Sequence, residues 1–336
     1  MHALQFSDID RLDLVEIDPP VPAPNQVLIR TGAATICTSD IHDLRGNPFA
    51  IELPVILGHE GAGTIVALGE EVTDFAVGDR VAAHPVHPCG VCETCRAGQG
   101  HLCPHLDHFG LTMQGTFAEY FVARVDRVHR LPDDMPFTTA ALAEPVCVCL
   151  EALHQTGLGD AQSLLILGDG PFGVMMARLA PRVATSNVVI AGRHASRLRI
   201  AGSARSVLTA RGEDPRPALR EANGGAGYEA VILAVADPGA VNLALELLRP
   251  QGRLVVFAPL PGDTPVNLFD LLLRELEIVG AVNDQDRLAD AIGALADPAL
   301  QLGDLITHQF PLGDYEAAFQ AAEHDRDHAM KVAFTF

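Results

Sequence analysis

The stretch Gly58-His59-Glu60-Gly61 sets an imidazole beside a carboxylate, between glycines and after the apolar run Leu53-Pro54-Val55-Ile56-Leu57. Both side chains are good zinc ligands, and glycine lets backbone approach closely. Upstream, Cys37-Thr38-Ser39-Asp40-Ile41-His42 offers a thiol, a hydroxyl and a second imidazole. Taken alone, Cys37 is a buried thiol and His42 a solvated loop residue. Joined to His59, Cys37 becomes a thiolate ligand. A zinc site with few protein ligands and an open position does chemistry, whereas a four-cysteine site is closed and structural. Ser39 and His42 would then be a hydroxyl and an imidazole that move a proton to solvent.

Cys89, Cys92, Cys95 and Cys103 form the second cluster, four of the seven cysteines in the chain. Thiolates at this spacing wrap tetrahedrally around one ion. An iron–sulfur cluster also takes four cysteines, but nothing else in the sequence points to electron transfer, so zinc is expected. His84, His87, His101, His105 and His108 surround the cluster and are expected to be loop histidines, because four thiolates already complete a site. Cys147 and Cys149 share an apolar stretch and read as packing.

A third chemistry-bearing stretch lies in the second half. The apolar run Ser163–Leu167 leads into Gly168-Asp169-Gly170-Pro171-Phe172-Gly173 and then the apolar segment Val174–Ala180. Strand, glycine turn and helix in that order are a dinucleotide fingerprint. The first glycine makes the turn, the second admits the pyrophosphate, and the third lets helix pack on strand. The helix N-terminus favours the phosphate charge. At the end of the next apolar run the chain reads Gly192-Arg193-His194-Ala195-Ser196-Arg197. An NAD site carries an acid there to bond the ribose 2′-hydroxyl. Here there is none, and Arg193 and Arg197 suit a 2′-phosphate. NADP is therefore expected in preference to NAD.

The elements that must hold these residues differ between the halves. Residues 1–35 and 61–83 run in short alternating segments with turn-formers between them, which describes a β-rich, barrel-like domain. After about residue 150, six near-continuous apolar strands alternate with helices: 163–167, 188–191, 206–209, 230–235, 253–257 and 276–280. That is a doubly wound parallel sheet. The last fifty residues build helices at 287–295 and 315–322 and end in a strand-like run.

Composition narrows the function classes. The net charge of −20 opposes nucleic acid, since phosphate binding needs a basic face, and opposes an anionic membrane surface. The first residues have neither a basic segment nor a long apolar one, so no signal peptide is expected. No run approaches the roughly 18 apolar residues that span a bilayer. A soluble cytoplasmic protein with reduced cysteines follows as the expectation.

In this order, the Cys-x-Ser-Asp-x-His stretch, the Gly-His-Glu stretch and the four-cysteine lobe resemble the zinc-containing medium-chain dehydrogenase/reductase family, alcohol dehydrogenase-like. Gly115–Tyr120 and Ala143-Glu144-Pro145 also look like segments of that family, and the Glu-Pro resembles its polyol, sorbitol and threonine dehydrogenase branch. The resemblance implies an α/β protein: a Rossmann sheet at 148–285 plus a GroES-like β-rich catalytic domain at 1–147 and 286–336. It implies two zinc ions. The catalytic one would be held by Cys37 and His59, with Glu60 or Glu144 as third, exchangeable ligand. The structural one would be held by Cys89, Cys92, Cys95 and Cys103. The cofactor would sit on Gly168, Gly170, Pro171, Phe172 and Gly173, with Gly192, Arg193, His194 and Arg197 around its ribose, and the active site in the cleft between the domains. Thr38 departs from the glycine common in this branch, which bears on the substrate.

The expected reaction is reversible oxidation of a secondary alcohol to a ketone, on a polyol, cyclitol or amino alcohol. Ser39 and His42, or a water near Glu144, would carry the proton away. One rival is a dehydrogenase of simple primary or secondary alcohols or aldehydes, against which Glu144 leans. Another is a non-catalytic scaffold that binds zinc and nucleotide. Family habit implies a homodimer or homotetramer through the nucleotide domain.

Overall fold

The computed structural model describes residues 1–325 and 327–336. The chain divides into two units, Met1–Cys147 with Gln285–Phe336, and Val148–Asp284.

The first unit is built on the long strand Gln26–Thr35. It pairs antiparallel with Glu60–Leu68, with Tyr120–Arg124 and with the final strand Lys331–Thr335. The registers set Thr35 opposite Glu60 and opposite Ala333. Three strands from distant parts of the chain thus end at one place. Cys37 leaves the sheet there as the N-cap of the helix Thr38–Gly46. A smaller sheet, Arg11–Glu16, His2–Asp8 and Val55–Ile56, packs its apolar face into the core.

Phe117 lies fully buried in that core, edge-on to Phe334 at 5.1 Å and to Phe319 at 6.2 Å. Burying one such ring contributes about 2–3 kcal/mol. The ring also lies against Gly58, where an added Cβ would overlap it. With φ at +91°, Gly58 is bound to be glycine twice over, and His59 is delivered from that turn.

The second unit is a six-stranded sheet in the order Arg205–Leu208, Asn187–Gly192, Ser163–Leu167, Tyr228–Leu233, Leu248–Val256, Glu277–Gly280. All its pairings are parallel. In chain order the strands lie 3-2-1-4-5-6, the doubly wound order of dinucleotide-binding sheets. Leu165, Val189, Val231 and Leu254 are fully buried, which explains the near-continuous apolar runs.

The absence of any apolar run of bilayer length, expected from the sequence, does not hold. The stretch Phe137–Gln155 is long and apolar enough to cross a bilayer by length and composition, although 72% of its apolar window is buried inside the protein. It serves as a core segment, and its apolarity reflects packing.

Candidate active site

Cys37 Sγ, a ring nitrogen of His59 and a carboxylate oxygen of Glu60 lie within 4.8 Å of one another, and all three residues are buried. A thiolate, an imidazole and a carboxylate at that spacing form a donor set suited to zinc. Asp40, one turn into the helix, orients two of them. Its Oδ2 accepts from the Cys37 backbone N–H at 2.8 Å, and its Oδ1 lies 3.3 Å from His59 Nδ1. Nδ1 is thereby committed to the carboxylate, which leaves Nε2 as the ligand atom. Burial alone would hold the His59 pKa down, but the charge and hydrogen bond of Asp40, with Cys37 beside it, raise it well above the ordinary value. A metal must displace that proton to bind.

Glu60 is not a loose carboxylate. Lys331, from the last strand, donates to Glu60 Oε1 at 2.7 Å and Oε2 at 2.5 Å, and to the Ile36 carbonyl at 3.1 Å. Thr35 Oγ1 donates to Glu60 Oε2 from the facing strand. Glu144, in the first turn of the helix Ala143–Gln155, is buried as well. Burial pushes its pKa up to about 7, with the charge of His59 lowering it and that of Glu60 raising it. Its carboxylate lies outside the tight three-residue donor group of Cys37, His59 and Glu60. Ser39 is half-buried and His42 exposed on the helix that begins at Cys37.

The cysteine lobe forms a second donor set. The Sγ separations are 3.4 Å for Cys92–Cys95, 3.6 Å for Cys89–Cys103, 3.7 Å for Cys92–Cys103 and 3.9 Å for Cys89–Cys95. Four sulfurs held tetrahedrally at the usual zinc–sulfur distance would stand about 3.8 Å apart. None of the four is in a disulfide. Backbone N–H groups point at the sulfurs, from Cys95 to Cys92 at 3.4 Å and from His105 to Cys103 at 3.3 Å. Backbone N–H donors lower the Cys89 and Cys92 thiol pKa values, which favours the thiolates a metal needs.

Of the surrounding histidines, His105 is an exposed turn residue and His84 lies outside any helix or strand, as expected of loop residues; the others depart from that expectation. His84, His87 and His101 are buried. His87 and His108 stand on two short paired strands. The His87 ring packs 5.0 Å from Phe109, and burial pushes its pKa down to about 4. The His108 ring lies 5.6 Å from that of His59, and burial takes its pKa down to about 3.

In the second unit, Gly168 takes a φ of +124°, and an added Cβ would press on the Ala234 carbonyl. Gly170 caps the helix Pro171–Val183 and Pro171 opens it, where its missing N–H costs nothing. Gly173 packs on the Gly168 carbonyl and Phe172 on Phe257, ring centroids 5.3 Å apart. Gly192 ends the second strand, and the half-exposed Arg193 reaches Asp237 at 3.5 Å. Arg197 lies half-buried in the short helix Ala195–Leu198.

The premise that no acid stands at the end of that strand fails in three dimensions. Asp169, from inside the glycine turn, places its carboxylate against Gly192 and accepts from the His194 backbone N–H at 2.6 Å. Asp40, Lys331 and Asp169 are the residues that sequence reasoning passed over. Only Asp40 carried a local signal, an acid three residues after a helix N-cap.

Residues 23–133 match the model of the alcohol dehydrogenase GroES-like domain, and residues 171–297 that of the zinc-binding dehydrogenase. The chain belongs to the zinc-binding medium-chain dehydrogenase family. It is similar to the D-arabitol-phosphate dehydrogenase of Enterococcus avium, 32% identical over 94% of this chain and 92% of the relative. It is 31% identical to the sorbitol dehydrogenase of Bacillus subtilis, over 93% and 91% of the two chains. It is also 31% identical to the L-threonine 3-dehydrogenase of Anaeromyxobacter dehalogenans, over 92% of each. Among solved structures, an Escherichia coli alcohol dehydrogenase complexed with NADH superposes with a TM-score of 0.93 at 26% identity, covering 100% of this chain and 99% of that one. A zinc-binding dehydrogenase of Sinorhizobium meliloti bound to NADP gives 0.91 at 26%, with the same coverage. This dehydrogenase thus has relatives solved with either dinucleotide.

Proposed function

We propose that this dehydrogenase interconverts a secondary alcohol and its ketone on a polyol, cyclitol or amino alcohol, with a nicotinamide dinucleotide as redox partner. The buried Cys37–His59–Glu60 donor set carries the reading. A zinc ion held there would supply Lewis acidity to the substrate oxygen, while a dinucleotide on the glycine turn would supply the hydride acceptor or donor. Cys37 contributes a thiolate at a helix N-terminus, where negative charge is favoured. Asp40 fixes the tautomer and direction of His59. Glu144, whose carboxyl pKa burial pushes upward, would take or give the proton beside the donor set. Ser39 and His42 provide the alternative route to solvent.

The polyol class is supported by Glu144-Pro145 and by relatives named for arabitol phosphate, sorbitol and threonine. Simple primary alcohols and aldehydes are the rival substrates. Arg193 and Arg197 favour NADP, while the Asp169 carboxylate against Gly192 favours NAD.

We infer a second copy of the chain as partner, in a homodimer or homotetramer. The strand Glu277–Gly280 is one edge of its sheet, and the helix Leu268–Arg274 that leads into it leaves Leu268, Phe269, Leu272 and Leu273 66–70% exposed. An edge strand with an apolar neighbour suits pairing with itself across a two-fold axis. A reducing cytoplasm is in keeping with a cysteine lobe whose four thiols form no disulfide.

The test is coenzyme absorbance across a panel of polyols, amino alcohols and simple alcohols, with NAD and NADP, before and after chelation. Turnover is expected on a polyol or amino alcohol, to vanish on chelation, and to be abolished in Cys37→Ala while dinucleotide binding persists. Undiminished turnover in Cys37→Ala overturns the role of the donor set, and turnover confined to simple alcohols overturns the substrate class.

A further inference from the structure

We propose that Asp169 takes the place of the missing strand-end acid and makes the nucleotide site select NAD over NADP. The inference rests on reading the second unit as a nicotinamide dinucleotide site and goes beyond it to the choice between the two coenzymes.

In such sites an acid at the end of the second strand bonds the ribose 2′-hydroxyl and repels a 2′-phosphate, while a small residue followed by arginine accepts the phosphate. Gly192 leaves that position without a side chain, and the sequence alone reads as open to phosphate. The space is nonetheless filled. The parallel register sets Leu167 beside Ala191, so the turn that follows Leu167 runs past Gly192. A Cβ on Gly192 would overlap the Asp169 Cγ and Oδ2. A carboxylate at 192 and one at 169 could not coexist; the chain carries the second.

Asp169 is firmly held. Its side chain is only 10% exposed, it accepts from the His194 N–H at 2.6 Å, and both its oxygens lie 3.1 Å from His194 Nδ1. Two carboxylate oxygens accept about four hydrogen bonds, so acceptor capacity remains for a ribose hydroxyl. Arg193 is drawn to Asp237 at 3.5 Å, with both groups about half exposed, and Arg197 lies half-buried in the helix that follows. A flexible surface arginine gains little from such a pair. A fixed, largely buried carboxylate against a dianionic phosphate outweighs it.

The experiment titrates the purified full-length protein with NADH and with NADPH, following coenzyme fluorescence, which needs no substrate. Wild type is expected to bind NADH at least about tenfold more tightly, the scale of one charge-assisted hydrogen bond. Asp169→Asn keeps the size and an acceptor for the His194 N–H but removes the charge. It should narrow the preference about tenfold, chiefly through tighter NADPH. Asp169→Ala should do the same, with weaker NADH. A wild-type preference for NADPH, or an unchanged ratio in Asp169→Asn, overturns the inference. Failure of wild type to bind either coenzyme overturns the dinucleotide reading itself, a distinct result.

Discussion

Lys331 and Glu60, 271 positions apart, form a buried ion pair with Nζ 2.7 Å from Oε1. The side chains are 3% and 0% exposed. Glu60 is a member of the donor set, so the pair decides how free its carboxylate is to reach a metal. Removing one partner of a buried pair leaves the other charge uncompensated, at a cost of about 3–5 kcal/mol. Lys331→Met is expected to lose stability on that scale in denaturant unfolding of metal-free protein. Glu60→Gln added to it should recover most of the loss, because two neutral groups need no pairing. A double variant no more stable than Lys331→Met would show that Lys331 acts through packing alone.

Asp40 spans the backbone of one ligand and the ring of another. Orienting carboxylates behind a metal-bound histidine are worth about 10–100-fold in metal affinity. Asp40→Asn is expected to weaken the Cys37–His59 site by that factor in chelator competition. The cysteine lobe, which shares no residue with it, should be unaffected. Equal weakening of both sites would point to general unfolding.

Much of this was legible in the sequence because it is local. The cysteine spacing forecasts a four-sulfur set within one short stretch, and the runs 163–167 and 230–235 carry the apolarity of strands buried on both faces. What escaped is what pairing brings together. Asp169 meets His194 only because two parallel strands set their ends side by side. Lys331 meets Glu60 because the strands bearing them flank the same central strand. His87 and His108 escaped for the same reason: each looks polar along the chain, and burial by distant partners makes them interior residues.

His87 gives the chain an acid liability. Its pKa is about 4 when folded against a reference of 6.5, because burial disfavours the imidazolium, and the Arg124 charge adds to the effect. The unfolded chain therefore binds the proton more readily. The contribution is whole above pH 6.5 and is lost as pH falls through 4. The full loss is about 3 kcal/mol. Unfolding free energy measured between pH 7 and 4 should fall accordingly. In His87→Gln, which never charges, that part of the slope should disappear. An unchanged slope in the variant would assign the acid sensitivity to other groups.

The apolar surface of the second unit sets the last expectation. Phe269 and Leu272 are each 68% exposed on the helix that leads into the edge strand Glu277–Gly280. Covering one such side chain is worth about 1.5–3 kcal/mol, and a two-fold axis would count each twice. Aspartate at both positions would place four carboxylates in the shared face, with like charges opposed and desolvated. Phe269→Asp/Leu272→Asp is therefore expected to halve the particle mass in light scattering while circular dichroism keeps its native shape. An unchanged mass would move the interface elsewhere on the chain. A wild type that is already monomeric at micromolar concentration would remove the second copy from the proposal altogether.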